Sequence, residues 1–223
     1  EALLSSKADV TLAGDDGETA LSHACRTGHS KIAKLLLEAG AKKDQQDNAG
    51  ETPLYEASYH GDANVVTVLL DAGADPDIPR ILGKTPLMIS ASGGHLSTVQ
   101  ALLASKAKVK VTDNDGETAL IYAARSGHSE IAKLLLEAGA DKDVQDNAGD
   151  TPIYEASHWG KTYVVNLLLN AGADPNIPNS YGRTPLMSSA SGGHLSTVQA
   201  LFSGKADVTL PDKKMLLGLV TLK

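Results

Sequence analysis

The side chains best able to do chemistry in this chain are seven histidines and a single cysteine. Four of the histidines, His29, His95, His128 and His194, each follow a glycine. The other three, His23, His60 and His158, lie about 33 or 99 residues apart. Neither set has the close spacing with which a helix or loop presents metal ligands. One cysteine, Cys25, cannot build an internal disulfide framework. The run D-N-D-G at Asp113–Gly116 resembles the start of a calcium loop, but it lacks the third acidic ligand and the closing glutamate. There is no phosphate-binding G-x-x-x-x-G-K, no G-x-G-x-x-G, no H-E-x-x-H, no C-x-x-C and no G-x-S-x-G. No catalytic residue, no metal ligand and no cofactor-binding residue is therefore assigned, and no enzymatic activity is expected.

The elements that would have to position any site are set by a 33-residue period. The stretch Asp47–Pro79, DNAGETPLYEASYHGDANVVTVLLDAGADPDIP, carries the clearest copy. Its Gly50, Thr52-Pro53-Leu54, Gly61 and Leu69-Leu70 return one period later as Gly83, Thr85-Pro86-Leu87, Gly94 and Leu102-Leu103. Self-similarity at such a period is the signature of a repeat architecture. Each unit reads as turn, short helix, tight turn, longer helix, loop. Thr52 can cap the first helix through its hydroxyl, and Pro53 suits the first helical position. Gly61 ends that helix. Val65, Val66, Leu69 and Leu70 have the spacing of one buried helical stripe. Gly73 stands where a helix end takes a left-handed residue. Helices this short cannot bury their apolar faces alone, so stacked neighbours must share stability.

The T-P-L-x-x-A start, the Gly-His pair, the Leu-Leu pair and the G-A-D-x-D/N loop resemble the ankyrin repeat, and almost the whole chain is covered. The resemblance implies an all-α ankyrin-repeat solenoid of stacked helix-turn-helix units with β-turn or hairpin loops. A single domain over 1–223 is expected. Glu1–Ala13 would be a half-repeat or N-terminal cap. Full units follow at Gly14–Gln46, Asp47–Pro79, Arg80–Thr112, Asp113–Gln145, Asp146–Pro178 and Asn179–Pro211, and residues 212–223 would form a C-terminal cap. In the family pattern His29, His95, His128 and His194 hold a structural position. Cys25 occupies a place filled by Ala or Ser in the other units and reads as a small core residue. The family usually has a histidine after T-P-L; here Ser22, Tyr55, Met88, Ile121, Tyr154 and Met187 stand there, so the usual bracing of the loops is expected to be altered. Lys7, Lys106 and Lys205 replace the helix-ending glycine. Those joints should either be looser or end without a left-handed cap.

Composition fits this class. The chain has 223 residues, of which 42% are apolar and only 4% aromatic, as suits a solenoid of Ala, Leu and Val. A formal net charge of −7 argues against nucleic acid or an anionic membrane as partner. No stretch reaches the roughly 18 apolar residues of a membrane span. An intracellular, cytoplasmic location and a monomeric state are expected. A longer period is superposed: Gly28–Ala41 returns at Gly127–Ala140, and Thr85–Ala107 at Thr184–Ala206, an offset of 99. Either a three-unit block has simply been duplicated, or each block carries one copy of a binding surface.

Ankyrin-like stacks bind partners with the turn tips and the exposed side of the first helix. Carried onto this sequence, those positions are Asp16, Glu18, His23 and Arg26 in the first unit and Glu51, Glu56, Tyr59 and His60 in the second. The third offers Ile81, Lys84 and Ile89, the fourth Glu117, Tyr122 and Arg125. The fifth offers Asp150, Glu155, His158 and Trp159, the sixth Tyr181 and Arg183. Acid predominates at the tips of units one, two, four and five, which favours a protein partner with basic groups. Trp159 is the only tryptophan, and aromatic and arginine side chains supply most binding hot spots. It is expected to be exposed at the centre of an interface, with Tyr122 beside it and Glu155 as polar rim. A non-catalytic protein-binding scaffold is the resulting expectation. The rivals are a recruitment module of a larger enzyme, ubiquitin ligase or channel, and a structural spacer or self-associating element.

Overall fold

The computed structural model describes residues 9–207 and residue 209. Most of the expected leading half-repeat, the joint at Lys7 and the expected cap at 212–223 lie outside the described residues. The chain falls into two compact units that part between Lys108 and Val109. The described residues hold twelve helices and no extended strand, only an isolated bridge between Ala13 and Thr19.

In the first unit the helices are α1 (Ala20–Arg26), α2 (Ser30–Glu38), α3 (Pro53–His60), α4 (Ala63–Asp71), α5 (Pro86–Gly93) and α6 (Leu96–Ala104). In the second they are α7 (Ala119–Ser126), α8 (Ser129–Glu137), α9 (Pro152–His158), α10 (Thr162–Asn170), α11 (Pro185–Ser191) and α12 (Leu195–Ser203). Each odd-numbered helix packs on the even-numbered one that follows it. Within a unit, first helices pack on first helices (α1 on α3 on α5, α7 on α9 on α11), and second helices do likewise. The core is the seam between these two rows. Leu54, Val65, Val66 and Leu69 are fully buried in it, as are Leu120, Leu135, Ile153 and Leu168.

The local chemistry is as the sequence implies. All six first helices start on a threonine whose Oγ1 accepts the amide three residues on, at 3.1 to 3.4 Å. The amides at the positions without the family's histidine are therefore still held. The turn tips are braced from another place: Asp47 Oδ1 accepts the amides of Ala49 and Glu51, each at 2.8 Å. Asp113, Asp146 and Asn179 do the same in their units. Adjacent tips are stitched by single backbone bonds, such as Asn48 N–H to Asp16 O at 3.0 Å and Ser180 N–H to Ala148 O at 2.9 Å.

The loops at the other end explain the D-x-D/N pattern. The second acidic residue accepts the backbone amide of the next repeat: Asp44 from Asp75 at 3.0 Å, Asp77 from Lys108 at 2.8 Å, Asp143 from Asp174 at 2.9 Å. Two of the four Gly-His pairs clasp neighbouring repeats. His95 Nε2 meets Tyr59 O, and His194 Nε2 meets His158 O, each at 3.0 Å. The imidazole sits where a Cβ on Gly61 or Gly160 would be, only 2.3 and 2.6 Å from that position. Glycine is needed there for this approach and for φ of 76° and 64°.

Lys106 and Lys205 do adopt the left-handed cap, at φ 64° and 62°. Their joints are therefore not uncapped ends. Lys106 N–H reaches Leu103 O and Ala107 N–H reaches Leu102 O, each at 3.0 Å, matching the bonds that Gly73 and Ala74 make. These two hydrogen bonds outweigh a conformational cost of about 1 kcal/mol.

Candidate functional site

The expected binding positions fall into three environments. Asp16, His23, Tyr59, His60, Ile81, His158, Trp159, Tyr181 and Arg183 are exposed. Glu18, Arg26, Glu51, Lys84, Ile89, Arg125 and Asp150 are half-buried. Glu56, Glu117, Tyr122 and Glu155 are buried. These last four make contacts within the same repeat or to the preceding one: Glu155 meets Arg125 of the repeat before it, Glu117 meets Arg125 and Tyr122 meets Asp113 within their own repeat, and Glu56 lies near Glu18 and Asp47. The expectation that Tyr122 flanks Trp159 as an open surface ring is not met. Its hydroxyl donates to Asp113 Oδ2 at 2.7 Å, and burial, with bonds to Asp113 and Glu117, pushes that hydroxyl far above its ordinary pKa.

In the second unit Arg125 organises the buried acids. Its Nε donates to Glu155 Oε2 at 2.9 Å, and Nη2 bridges Glu155 Oε1 at 3.1 Å and Glu117 Oε1. Burial works against the guanidinium's charge, but the bonds to Glu155 and Glu117 outweigh it and raise the pKa. Trp159 closes the same network, its indole Nε1 donating to Glu155 Oε2 at 3.1 Å. It is the C-cap of α9 and remains 53% exposed. Next to it, among the described residues, the Asp150 carboxylate accepts a side-chain hydrogen bond from Asn179 Nδ2 at 2.9 Å. Burial pushes the Asp150 carboxyl up to about 6, the Asn179 bond and His158 oppose, and the charges of Asp146 and Glu155 add to the rise.

The first unit distributes its arginines differently. Arg26 Nη1 donates to Glu18 Oε1 at 2.6 Å and Nη2 to Glu18 Oε2, while His23 Nε2 lies 3.1 Å from Glu18. Arg80 takes Glu51, Nε to Oε1 at 3.1 Å, and lies 5.6 Å over the Tyr55 ring. Among the described residues the ion-pair partner of Glu56 is His60, with Nε2 at 3.7 Å. Burial pushes its carboxyl up to about 7, and a hydrogen bond with Glu51 and that residue's charge add to the effect against Arg26.

Two trios of carboxylates come within 4.8 Å: Glu18, Asp47 and Glu56, and Asp146, Asp150 and Glu155. In each, one member (Glu18, Glu155) has both oxygens engaged by arginine, and Asp47 and Asp146 hold their own turns. Two members of each trio are therefore engaged within the fold. Cys25 is fully buried and its thiol is pushed up to about 12 by burial, then by Glu56 and Asp62, so it is no thiolate at neutral pH. Asp113 spends its carboxylate on two amides and Tyr122.

What sequence reasoning passed over were Arg80, Asn179, Tyr55 and Tyr154. The signal was available in the 99-residue offset, which sets Arg80 against Asn179 beside otherwise matching acids and tyrosines.

Paired short helices joined by braced turn tips define a helical repeat protein. A family model for ankyrin repeats matches three times, at residues 1–80, 74–146 and 138–212. The chain belongs to the ankyrin-repeat family, an all-α repeat solenoid, whose repeats are in general protein–protein interaction modules. No curated protein matches it. Among the described residues no helix is long and apolar enough to cross a membrane.

Proposed function

We propose that this chain is a non-catalytic binding scaffold whose first-helix and turn-tip face receives a protein partner carrying basic groups. The observation that carries this is the set of exposed rings on that face, Tyr59 at 55%, Trp159 at 53% and Tyr181 at 65%, beside carboxylates with little or no compensating charge, Glu56 and Asp150. Rigid aromatics surrounded by polar groups are the composition of binding hot spots. The net charge of −7 favours a basic protein over nucleic acid. The same proposal takes the chain as a cytoplasmic monomer and its six repeats as one binding domain. Affinity capture from the source cell, run in parallel with Tyr59→Ala and Trp159→Ala chains of unchanged circular dichroism, tests it. Partners lost on either variant support the assignment of the face. Partners retained on both refute it.

A further inference from the structure

The two 99-residue blocks hold the same constellation in two states. In the first unit the carboxylate of Glu51 and the ring of Tyr55 are served by the chain's own guanidinium, with Arg80 Nε 3.1 Å from Glu51 and the Arg80 Cζ 5.6 Å over the Tyr55 ring. Ninety-nine residues on, Glu51 becomes Asp150 and Tyr55 becomes Tyr154, but Arg80 becomes Asn179. Asn179 meets the carboxylate with a neutral hydrogen bond, Nδ2 to Asp150 Oδ1 at 2.9 Å, and brings neither the charge nor the planar fork of the ion pair that Arg80 makes with Glu51.

Beside Asp150, Tyr154 and Asn179 there is an open cavity of about 460 Å³. Asp150, Tyr154, Trp159, Asn179 and Tyr181 line it. Its walls have changed in the same direction. His60 of the first block is Trp159 here, and Leu82 is Tyr181. Arg125 also borders the cavity but is spent on Glu155 and Glu117. Arg183 stands exposed at the rim and forms no side-chain hydrogen bond or ion pair among the described residues.

We propose that this cavity is a guanidinium-binding pocket, in which an arginine side chain of the partner protein takes the place beside Asp150 and Tyr154 that Arg80 holds beside Glu51 and Tyr55. A guanidinium suits the pocket better than an ammonium. Its planar face stacks on aromatic rings, and its several fixed donors can reach the Asp150 carboxylate. Burial raises the Asp150 carboxyl, and a guanidinium seated against it would favour its ionised form. The proposal rests on the binding function given above and narrows the partner to one presenting an accessible arginine.

The test uses the full chain and its single tryptophan as reporter. The probe is acetyl-Gly-Arg-Gly-amide, titrated at pH 7.5 against the same peptide with lysine or with citrulline in place of arginine. A saturable change in Trp159 emission is expected with arginine. Citrulline, which has nearly the same shape without charge, should bind at least about tenfold more weakly, and so should lysine. Asp150→Asn should weaken the arginine peptide by about tenfold or more. Asn179→Arg, which installs the first unit's own arrangement, should abolish peptide binding with the far-UV circular dichroism unchanged. No saturable response, equal binding of citrulline or lysine, or full binding to a folded Asn179→Arg chain would overturn the proposal. If the peptide fails while captured partners still depend on Trp159, only the guanidinium pocket falls. If the partners too ignore Trp159, the binding face falls with it.

Discussion

Glu56 should cost the protein stability at neutral pH, and replacing it should recover that stability. The residue is 8% exposed, and its carboxylate lies within 4.8 Å of the Glu18 and Asp47 carboxylates. Arg26 is committed to Glu18 and Arg80 to Glu51. The folded carboxyl titrates near 7 against an ordinary 4.5. Between those values the folded chain holds a proton that the unfolded chain has released, so stability falls as pH rises through that window. The contribution is complete below about pH 4.5 and lost above about pH 7. A displacement of that size is worth about 3 kcal/mol. Glu56→Gln cannot ionise, and its amide can donate to Glu51 as the protonated acid does. Thermal melts followed by circular dichroism at pH 4.5 and pH 8 should show little difference at the acid end. At pH 8 the variant should melt roughly 5–10 °C higher, given the length of the chain. Its twin supplies the control: Glu155 is clasped by Arg125, so Glu155→Gln should destabilise by about 1–3 kcal/mol at pH 8. A Glu56→Gln chain that melts lower than the parent at pH 8, or by the same margin at both pH values, would refute this account of the cluster.

Trp159→Ala should weaken partner binding more than tenfold, while Tm moves little because Arg125 still holds Glu155; a large fall in Tm with unchanged affinity would mark a packing residue instead. Ser58 and Ser157 bury hydroxyls without a hydrogen-bond partner, so Ser58→Ala and Ser157→Ala should each stabilise by about 1 kcal/mol in urea denaturation, and destabilisation would reveal a bond formed in solution. Lys106→Gly and Lys205→Gly should relieve the left-handed φ and raise stability by roughly 0.5–1 kcal/mol, whereas a loss would mean that the lysine stems pack more tightly than their backbone strain costs.

The helices were legible because their signals are local. Thr52 and Pro53 start α3, Gly61 stops it, and each acts within a turn of its own position. The face was less legible because its chemistry is between repeats. Nothing near Glu155 in sequence announces its burial; Arg125 reaches it from the preceding repeat, thirty residues upstream. Tyr122 misleads for the same reason, since its partner Asp113 is a turn brace nine residues upstream and not a surface neighbour. Trp159 was placed correctly at the helix end, but its indole N–H bond to Glu155 depends on a side-chain rotation that spacing does not fix. The exchange of Arg80 for Asn179 was visible from the start and acquires meaning only once the Glu51 pairing is seen.

The clasps between neighbouring repeats have a consequence for the nascent chain. The side-chain bonds that join one repeat to the next span only 29 to 36 residues, from Asn179–Asp150 to His95–Tyr59 and His194–His158. The carboxylate of Asp44 or Asp77 receives an amide that lies 31 residues downstream. In these bonds the earlier repeat leaves the ribosome with its acceptors in place and its successor supplies the donors, while Arg125 waits as a donor for Glu155; either way the partner follows about 2–7 s later at ordinary rates of synthesis. Assembly within each unit then follows the direction of translation, with no long loop to close and at most one repeat waiting, unlatched, for the next.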